Sequence, residues 1–326
     1  MTEKIGSFLW LFLCVFGLSL ILEKLWLPVL KKKRAGQPIL EIGPSWHAVK
    51  AGTPTMGGAA FMLAVVIGFL ICLPALLQRI GIDNVKVMAF VLLYAVFCGG
   101  IGFFDDYRKL RNKRNEGLTA PQKYFLQLVA SAVFLVLICG FGGVGTDIFV
   151  PFLQKEIVLG SFYYPLALLF LTGMVNALNL TDGLDGLLAS TVAVLGAFFL
   201  AYGDVKLAVT GALLLGVSIG FLPYNAHPAK VFMGDTGSLF LGALVAGGSL
   251  VAKAPLTALL AGGVYVTEAA SVILQVGFFK LSGGKRLLRM APLHHHFEKC
   301  GWGERMIVLL FTVAAAIFAL LAYLGG

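Results

Sequence analysis

Apolar residues occur in long runs along this chain, and short polar stretches separate the runs. A helix needs roughly 20 apolar residues to cross the hydrocarbon core of a bilayer. Ten runs approach that length, near residues 7–30, 56–78, 87–104, 124–141, 161–178, 187–202, 207–222, 238–252, 256–280 and 305–324. Since no polar stretch is long enough to fold separately, the pattern predicts one all-α polytopic membrane domain over residues 1–326, with about ten transmembrane helices.

The composition supports a membrane protein. Of the 326 residues, 59% are hydrophobic and 13% are charged, whereas about a quarter of a soluble domain is charged. The five cysteines are scattered without metal-ligand spacing, so neither a disulfide framework nor a zinc site is predicted. The basic run at 31–34 follows the first apolar run, which favours a first transmembrane helix over a cleavable signal.

The distribution of basic residues predicts the orientation. Loops after the first, third, fifth, seventh and ninth runs contain 18 of the 25 Lys and Arg residues, whereas the opposite loops and the N-terminus contain six and Lys24 lies within the first run. Cytoplasmic loops carry the excess of positive charge, so we expect both termini to be extracytoplasmic. The longest opposite loop, 142–160, has alternating apolar residues that predict a small hairpin.

The candidate chemistry falls on the predicted cytoplasmic side. If the count of ten helices is right, five carboxylates and four histidines converge on one membrane face; they are Asp105, Asp106, Asp182, Asp185, Asp235, His227, His294, His295 and His296. An error of one helix would scatter them over both faces. We therefore expect an active-site cleft on the cytoplasmic face.

The segment GFFDDYRKLRNKR places Asp105 and Asp106 before a basic run. Adjacent carboxylates repel each other unless a cation lies between them or one is protonated. A divalent metal with a polyphosphate satisfies this arrangement, because carboxylates bind Mg²⁺ and basic side chains bind phosphate oxygens. The alternative is that the two Asp residues cap the interface while the basic run sets topology or contacts anionic lipids.

The segment NALNLTDGLDGL carries four polar side chains between two apolar runs, Asn176, Asn179, Asp182 and Asp185. On a helical turn the two carboxylates would share one face, and the glycines allow close approach of a phosphate. The alternative is a helix start with Thr181 or Asp182 as N-cap.

Two later segments add polar groups. In VFMGDTGS, Asp235 lies in a glycine turn before a helix, where backbone N–H groups and a carboxylate are offered together, and Phe232 could stack on a base; a simple N-cap and turn is the alternative. In APLHHHFE, the consecutive histidines lack the spacing of a helical zinc site but could bind phosphate or shuttle a proton. Glu268 lies inside the ninth run, so we expect it to face protein or water.

Together these residues indicate a Mg²⁺-dependent enzyme that joins a phosphorylated, water-soluble donor to a lipid-borne acceptor. An ion-coupled carrier for an anionic metabolite is the alternative from another class. A carrier is expected to place its carboxylates near the bilayer midplane, whereas these lie at the ends of the predicted helices. No nucleic-acid partner is expected.

The segments TPTMGG, FFDDYRKL, KYFLQ, NALNLTDGLDGL, VFMGDTGS and APLHHHFE resemble the signature set of the phospho-N-acetylmuramoyl-pentapeptide transferases. The Asp motifs alone indicate the wider superfamily of polyprenyl-phosphate N-acetylhexosamine-1-phosphate transferases, so a sister enzyme that uses UDP-GlcNAc is the nearest alternative. The resemblance implies transfer of phospho-MurNAc-pentapeptide from UDP-MurNAc-pentapeptide to undecaprenyl phosphate in the bacterial inner membrane, with release of UMP. It also implies a Mg²⁺ cofactor, contact with membrane lipids and a homodimer.

The resemblance also implies roles for individual residues. Asp105 corresponds to the residue that orients or deprotonates the lipid phosphate, and Asp235 to the principal Mg²⁺ ligand, with Asp182 as a further candidate ligand. The other implied catalytic residues are Asp106, Asp185 and His294. The implied substrate-binding residues are Lys50, Lys123, Asn176, Asn179, Asn225, Phe232, Gln275, His295 and His296.

Overall fold

The computed structural model describes residues 8–32, 52–112 and 117–326, so Lys50 lies outside the described residues. Most of the described chain is helical. In chain order the helices are α1 Leu9–Lys32, α2 Gly58–Asn112, α3 Ala120–Gly140, α4 Tyr163–Thr181, α5 Leu187–Tyr202, α6 Val205–Asn225, α7 Gly234–Val251, α8 Pro255–Ala261, α9 Gly263–Leu281, α10 Leu293–Lys299 and α11 Glu304–Leu324.

Eight of the helices in the described ranges are long and apolar enough to cross a membrane, namely α1, α2, α3, α4, α6, α7, α9 and α11. Helix α5 is apolar but shorter, with 16 residues. Helix α7 is central, since nearly all of its side chains are buried, whereas the outer helices leave large apolar side chains exposed, as lipid-facing helices do. The predicted all-α polytopic class is therefore confirmed.

Helix α2 reverses direction at Gly81, which has left-handed φ of 76°. Gly58 and Gly102 lie 44 residues apart, a separation of roughly 66 Å in a straight helix. Yet an added Cβ on Gly58 would overlap the Gly237 nitrogen, and one on Gly102 would overlap the Asp235 carbonyl oxygen. Both ends of α2 thus contact the first turn of α7, and its two arms form the predicted second and third runs with a turn at one glycine between them.

Glycines also set the packing of α6. Gly211 lies against Gly196 and Leu200 of α5, and Gly216 and Gly220 lie against α1, all at distances that exclude a Cβ atom. Close packing of α6 against α5 and α1 therefore depends on these glycines.

The predicted hairpin at 142–160 is also confirmed. Strands β1 (Asp147–Val150) and β2 (Lys155–Val158) pair antiparallel, and the 3₁₀ turn Gly160–Phe162 leads into α4. The Lys253 carbonyl accepts a hydrogen bond from the Phe149 N–H, and the Lys253 ammonium group pairs with Asp147 and Glu156. This ion pairing lowers the pKa of Asp147 and raises that of Lys253.

One sequence-based expectation and one of the alternatives considered beside it are wrong. The run 256–280 is not one helix, because the helix is interrupted at Gly262 between α8 and α9. An added Cβ at Gly262 would lie 2.8 Å from the Ala258 oxygen. Neither Thr181 nor Asp182 is an N-cap. Asp182 follows the end of α4 as its C-cap, and α5 begins after Gly186, whose φ is 78°.

We predict that Gly102→Ala destabilises the protein, because the new methyl group would meet the backbone of Asp235 and Thr236, which cannot move aside without displacing α7. Overpacking of this kind costs about 1–3 kcal/mol. Gly100→Ala is the matched control, since no atom lies within 4 Å of its added Cβ. Thermal unfolding in detergent should show a lower Tm for Gly102→Ala alone; equal Tm values would contradict the close contact.

Candidate active site

Three carboxylates from two helices meet at one end of the bundle. Asp105 and Asp106 lie near the end of α2, and Asp235 lies in the first turn of α7. Each contributes an oxygen, and these atoms lie within 4.8 Å of one another. Carboxylate oxygens are the ligands that hard divalent cations prefer, so the cluster could hold a metal ion.

Asp106 is fully buried, and its oxygens are already occupied by protein donors. Oδ1 accepts the Asp235 N–H at 3.2 Å, and Oδ2 accepts the Thr236 N–H at 3.0 Å and its hydroxyl at 2.6 Å. The carboxylate thereby satisfies two of the N–H groups that a helix start leaves unpaired. Asp106 thus fixes the first turn of α7 and, with it, Asp235.

Asp105 has a different set of partners, which includes a lysine. Its Oδ2 lies 2.6 Å from Lys109 Nζ, and its Oδ1 accepts the Leu118 N–H at 2.5 Å. Lys109 Nζ also lies 3.0 Å from Asp235 Oδ2. Sequence reasoning grouped Lys109 with the basic run and did not single it out; its position four residues after Asp105, on the same helix face, was the available signal.

Asp235 is the most connected member of the cluster. Besides Lys109, its Oδ2 accepts a hydrogen bond from Lys123 Nζ at 2.9 Å, and its Oδ1 accepts one from Asn179 Nδ2 at 2.9 Å. Lys123 lies in the first turn of α3, and Asn179 in the last turn of α4. Two ammonium groups therefore face three carboxylates, which leaves an excess of negative charge for a cation.

An open cleft of about 570 Å³ lies over this cluster. Its walls come from the end of α2, the segment before α3 and the start of α7; the lining residues are Asp105, Arg108, Lys109, Asn112, Gly117, Leu118, Thr119, Ala120, Lys123 and Asp235. A cleft with both acidic and basic walls can hold a cation and a phosphorylated ligand side by side.

Asn176 lies one helical turn below Asn179 and does not join the acidic cluster. Its Nδ2 donates to Gln127 Oε1 at 2.6 Å and to the Thr172 carbonyl at 2.8 Å. This contact ties α4 to α3 beneath the site.

The turn between α4 and α5 carries Asp182 and Asp185. Burial raises the pKa of Asp182 to about 8, and the negative charges of Asp235, Asp106 and Asp185 act in the same direction. Asp182 is thus electrostatically linked to the three-carboxylate cluster but is not among the groups whose oxygens come within 4.8 Å. We predicted that Asp182 and Asp185 share one face of a helical turn. They lie instead in a non-helical turn.

Asp185 points to the other side of this turn. Its Oδ2 accepts the Ala229 N–H at 2.9 Å and lies 3.2 Å from His227 Nδ1, which lies 3.1 Å from Glu304 Oε2. Glu304 Oε1 also accepts the Asp185 N–H at 2.6 Å. This second cluster joins the turn to α6 and α11; sequence reasoning missed Glu304, which no motif marks.

Asn225 and Phe232 lie beside this turn. Asn225 is buried; its Oδ1 accepts the Gly186 N–H at 3.1 Å and its Nδ2 donates to the Val231 carbonyl at 3.0 Å. The Phe232 backbone pairs with Pro54 and Gly57, and its ring remains half-buried. Asn225 therefore braces two loops, while Phe232 is partly exposed.

The predicted residues of the last loop have separate surroundings. Gln275 bonds the backbone of Leu287 and Leu288. His294 is buried; His295 Nδ1 lies 2.6 Å from Glu298 Oε2; and His296 Nδ1 accepts the Arg289 N–H at 3.1 Å. The three rings of the triplet therefore have different protein neighbours.

Comparison with known proteins identifies the family. The model for glycosyl transferase family 4 matches residues 88–253, and a phospho-N-acetylmuramoyl-pentapeptide-transferase signature matches residues 50–61. A phospho-N-acetylmuramoyl-pentapeptide-transferase of Clostridium acetobutylicum is 41% identical over 98% of this chain and 99% of its own length.

Further relatives with the same name are similar over nearly their whole length. The protein of Clostridium perfringens strain SM101 is 44% identical over 94% of this chain and 93% of its own length. That of Halalkalibacterium halodurans is 42% identical over 94% of each. This integral membrane protein therefore belongs to the phospho-N-acetylmuramoyl-pentapeptide-transferase family.

Proposed function

We propose that this enzyme transfers phospho-MurNAc-pentapeptide from UDP-MurNAc-pentapeptide to undecaprenyl phosphate in a Mg²⁺-dependent reaction that yields lipid I and UMP. Family membership supports the reaction. The observation that carries the metal-dependent chemistry is the cluster of Asp105, Asp106 and Asp235, with Lys109 and Lys123 against it.

Phosphoryl transfer depends on positioning and on neutralising charge. Bound Mg²⁺ supplies a positive charge that polarises the diphosphate and stabilises the departing UMP. Asp235 and Asp105 would hold the ion, because both line the open cleft whereas Asp106 does not. Lys109 and Lys123 would bind phosphate oxygens from the walls of the cleft.

The acceptor is a phosphate monoester, whose second pKa of about 6 leaves it largely anionic at neutral pH. It therefore needs orientation more than a strong base, and Asp105 with Lys109 can provide that orientation. A single in-line displacement inverts the configuration at the transferred phosphorus, whereas a route through a covalent Asp intermediate retains it. A chiral-phosphate substrate distinguishes the two.

An apolar groove of about 430 Å³ offers a place for the lipid tail. It lies between α4, α8 and α9, and along α4 it extends from Tyr163 to Ala177, one turn from Thr181. Its walls are almost wholly apolar. A prenyl chain in the groove would therefore contact apolar side chains and lipid and stay away from water. The phosphate end would then reach the acidic cluster from within the membrane.

The orientation and the number of membrane crossings form part of the proposal. Eight helices satisfy the length criterion; division of α2 at Gly81 and inclusion of α5 give ten crossings. With ten crossings, the excess of basic residues places the cleft on the cytoplasmic side, where a water-soluble UDP-sugar is accessible.

The test is UMP release by purified protein incubated with Mg²⁺ and UDP-MurNAc-pentapeptide, with and without undecaprenyl phosphate. We expect release that requires both the metal and the lipid. A preference for UDP-GlcNAc would assign a sister transferase instead. Uptake of an anionic metabolite into sealed vesicles without UMP release would assign a carrier.

The pH dependence of cation binding tests the role of Asp182. Because the pKa of Asp182 is raised to about 8 in the metal-free protein, its carboxyl holds a proton at pH 7 that an incoming cation must displace or tolerate. We expect Mg²⁺ affinity to rise from pH 6 to above pH 8. Asp182→Asn should flatten this rise, as measured by Mn²⁺ competition; an unchanged pH profile would contradict the link.

A further inference from the structure

Glu268 is a fully buried carboxylate in α9 that the proposed reaction does not yet use. It is 0% exposed and lies six residues into the helix. A carboxylate at such depth is costly unless a protein group pairs with it. Its partner therefore explains its presence.

That partner is His294, which is 1% exposed. The His294 backbone N–H donates to Glu268 Oε1 at 3.2 Å, and the His294 ring Nδ1 lies 3.2 Å from Glu268 Oε2. The ring contact is within ion-pair distance but is not aligned as a hydrogen bond. Hydrogen bonds of this kind are often poorly aligned without substrate and tighten when it binds.

The other ring nitrogen points towards the turn that carries Asp182. A Cβ added to Gly183 would overlap His294 Nε2, so only glycine allows the ring to lie there. Among the described residues, Nε2 has no hydrogen-bond partner although it is buried. A buried, unpartnered ring nitrogen beside this turn is available to a ligand.

We infer that Glu268 is a positioning residue that fixes the His294 ring with Nδ1 towards α9 and Nε2 towards the Asp182–Gly186 turn, where a substrate group can reach it. This inference rests on the proposed function. A carboxylate accepts but cannot donate, so it favours the ring form with a proton on Nδ1. Nε2 is then the acceptor nitrogen of the ring, to which a substrate group can donate a hydrogen bond or a proton.

Other ionisable groups face this pair. The His295 ring lies tilted against the His294 ring, with centroids 4.2 Å apart, and is itself paired with Glu298. Asp182 lies next to Gly183 in the turn. These groups remain in place in the variants below, so they do not distinguish the variants from the wild type.

Glu268→Gln separates positioning from packing because it keeps the size of the side chain. Its amide oxygen can still accept the His294 N–H, but its NH₂ group then faces Nδ1 and favours the ring form with the proton on Nε2. We expect ¹⁵N NMR of histidine-labelled protein in nanodiscs to show the His294 proton on Nδ1 in the wild type and on Nε2 in Glu268→Gln. The His294 signals are assigned by their loss in His294→Asn.

We expect Glu268→Gln to lower kcat about 10- to 100-fold, as loss of an orienting carboxylate does at other histidines, while KM changes less than about threefold. In a His294→Asn background the same change should have little further effect. Glu156→Gln, an exposed carboxylate on β2, is the control and should match the wild type.

The inference is overturned if Glu268→Gln leaves both the His294 ring form and kcat unchanged. It is also overturned if the variant lowers kcat equally with and without His294, because that result indicates a purely structural role. Absence of UMP release by the wild type would instead remove the proposed function, and the NMR experiment would still report on the Glu268–His294 pair.

Discussion

Asp235→Asn abolishes lipid I formation, with a fall in kcat of at least about 10³-fold. The substitution keeps the shape of the side chain but removes the charge that faces Lys109, Lys123 and the candidate cation. Phosphoryl transfer depends strongly on interactions that neutralise charge in the transition state, so the loss of one such group has a large effect on rate. Radiolabelled lipid I, separated from its precursors, provides the measurement.

The control is Asp83→Asn, an exposed carboxylate beside Lys86 at the reversal of α2, which should retain full turnover. The Asp235→Asn protein should also elute from a sizing column as the wild type does. Normal turnover in Asp235→Asn would remove Asp235 from the site.

Asp106→Asn has the second-largest expected effect, and it acts on both stability and turnover. An amide cannot accept all three hydrogen bonds that Asp106 accepts from Asp235 and Thr236, since its NH₂ group would oppose one of those donors. A buried donor left without a partner costs about 1–3 kcal/mol. We also expect kcat to fall about 100-fold, because misplacement of a catalytic group has effects of this size.

Unfolding in EDTA separates this role from that of a metal ligand. If Asp106 braces α7, Asp106→Asn lowers the Tm even without metal. If Asp106 were only a metal ligand, removal of one of three neighbouring negative charges would leave the metal-free Tm unchanged or raise it. A raised Tm in EDTA would therefore contradict the structural role of Asp106 in fixing the start of α7.

Much of the architecture could be predicted from the sequence because a bilayer imposes strong constraints on it. The length of each apolar run and the side chosen by the basic residues led to a helical bundle with its carboxylates at one end. The structure brings Asp105, Asp106 and Asp235 together. Burial and the negative charges of Asp235 and Asp106 raise the pKa of the nearby Asp182. Alternating residues predicted the hairpin of β1 and β2.

The remaining features depend on contacts between distant residues. No local pattern indicates that Glu304 binds the Asp185 N–H, 119 positions away in sequence, or that Asn225 braces two loops instead of facing solvent. A histidine triplet looks uniform in sequence, yet α10 directs His294 and His295 towards different acids. The break at Gly262 lies in an uninterrupted apolar run, so hydropathy alone could not find it.

The central claim is that Asp105 and Asp235 bind one divalent cation in the cleft. Electron paramagnetic resonance of Mn²⁺ added to purified protein tests it most directly, since Mn²⁺ prefers the same oxygen ligands as Mg²⁺. We predict one bound Mn²⁺ per chain, displaced by excess Mg²⁺ and lost in Asp235→Asn. Retention of that bound ion in Asp235→Asn, with unchanged affinity, would contradict the account.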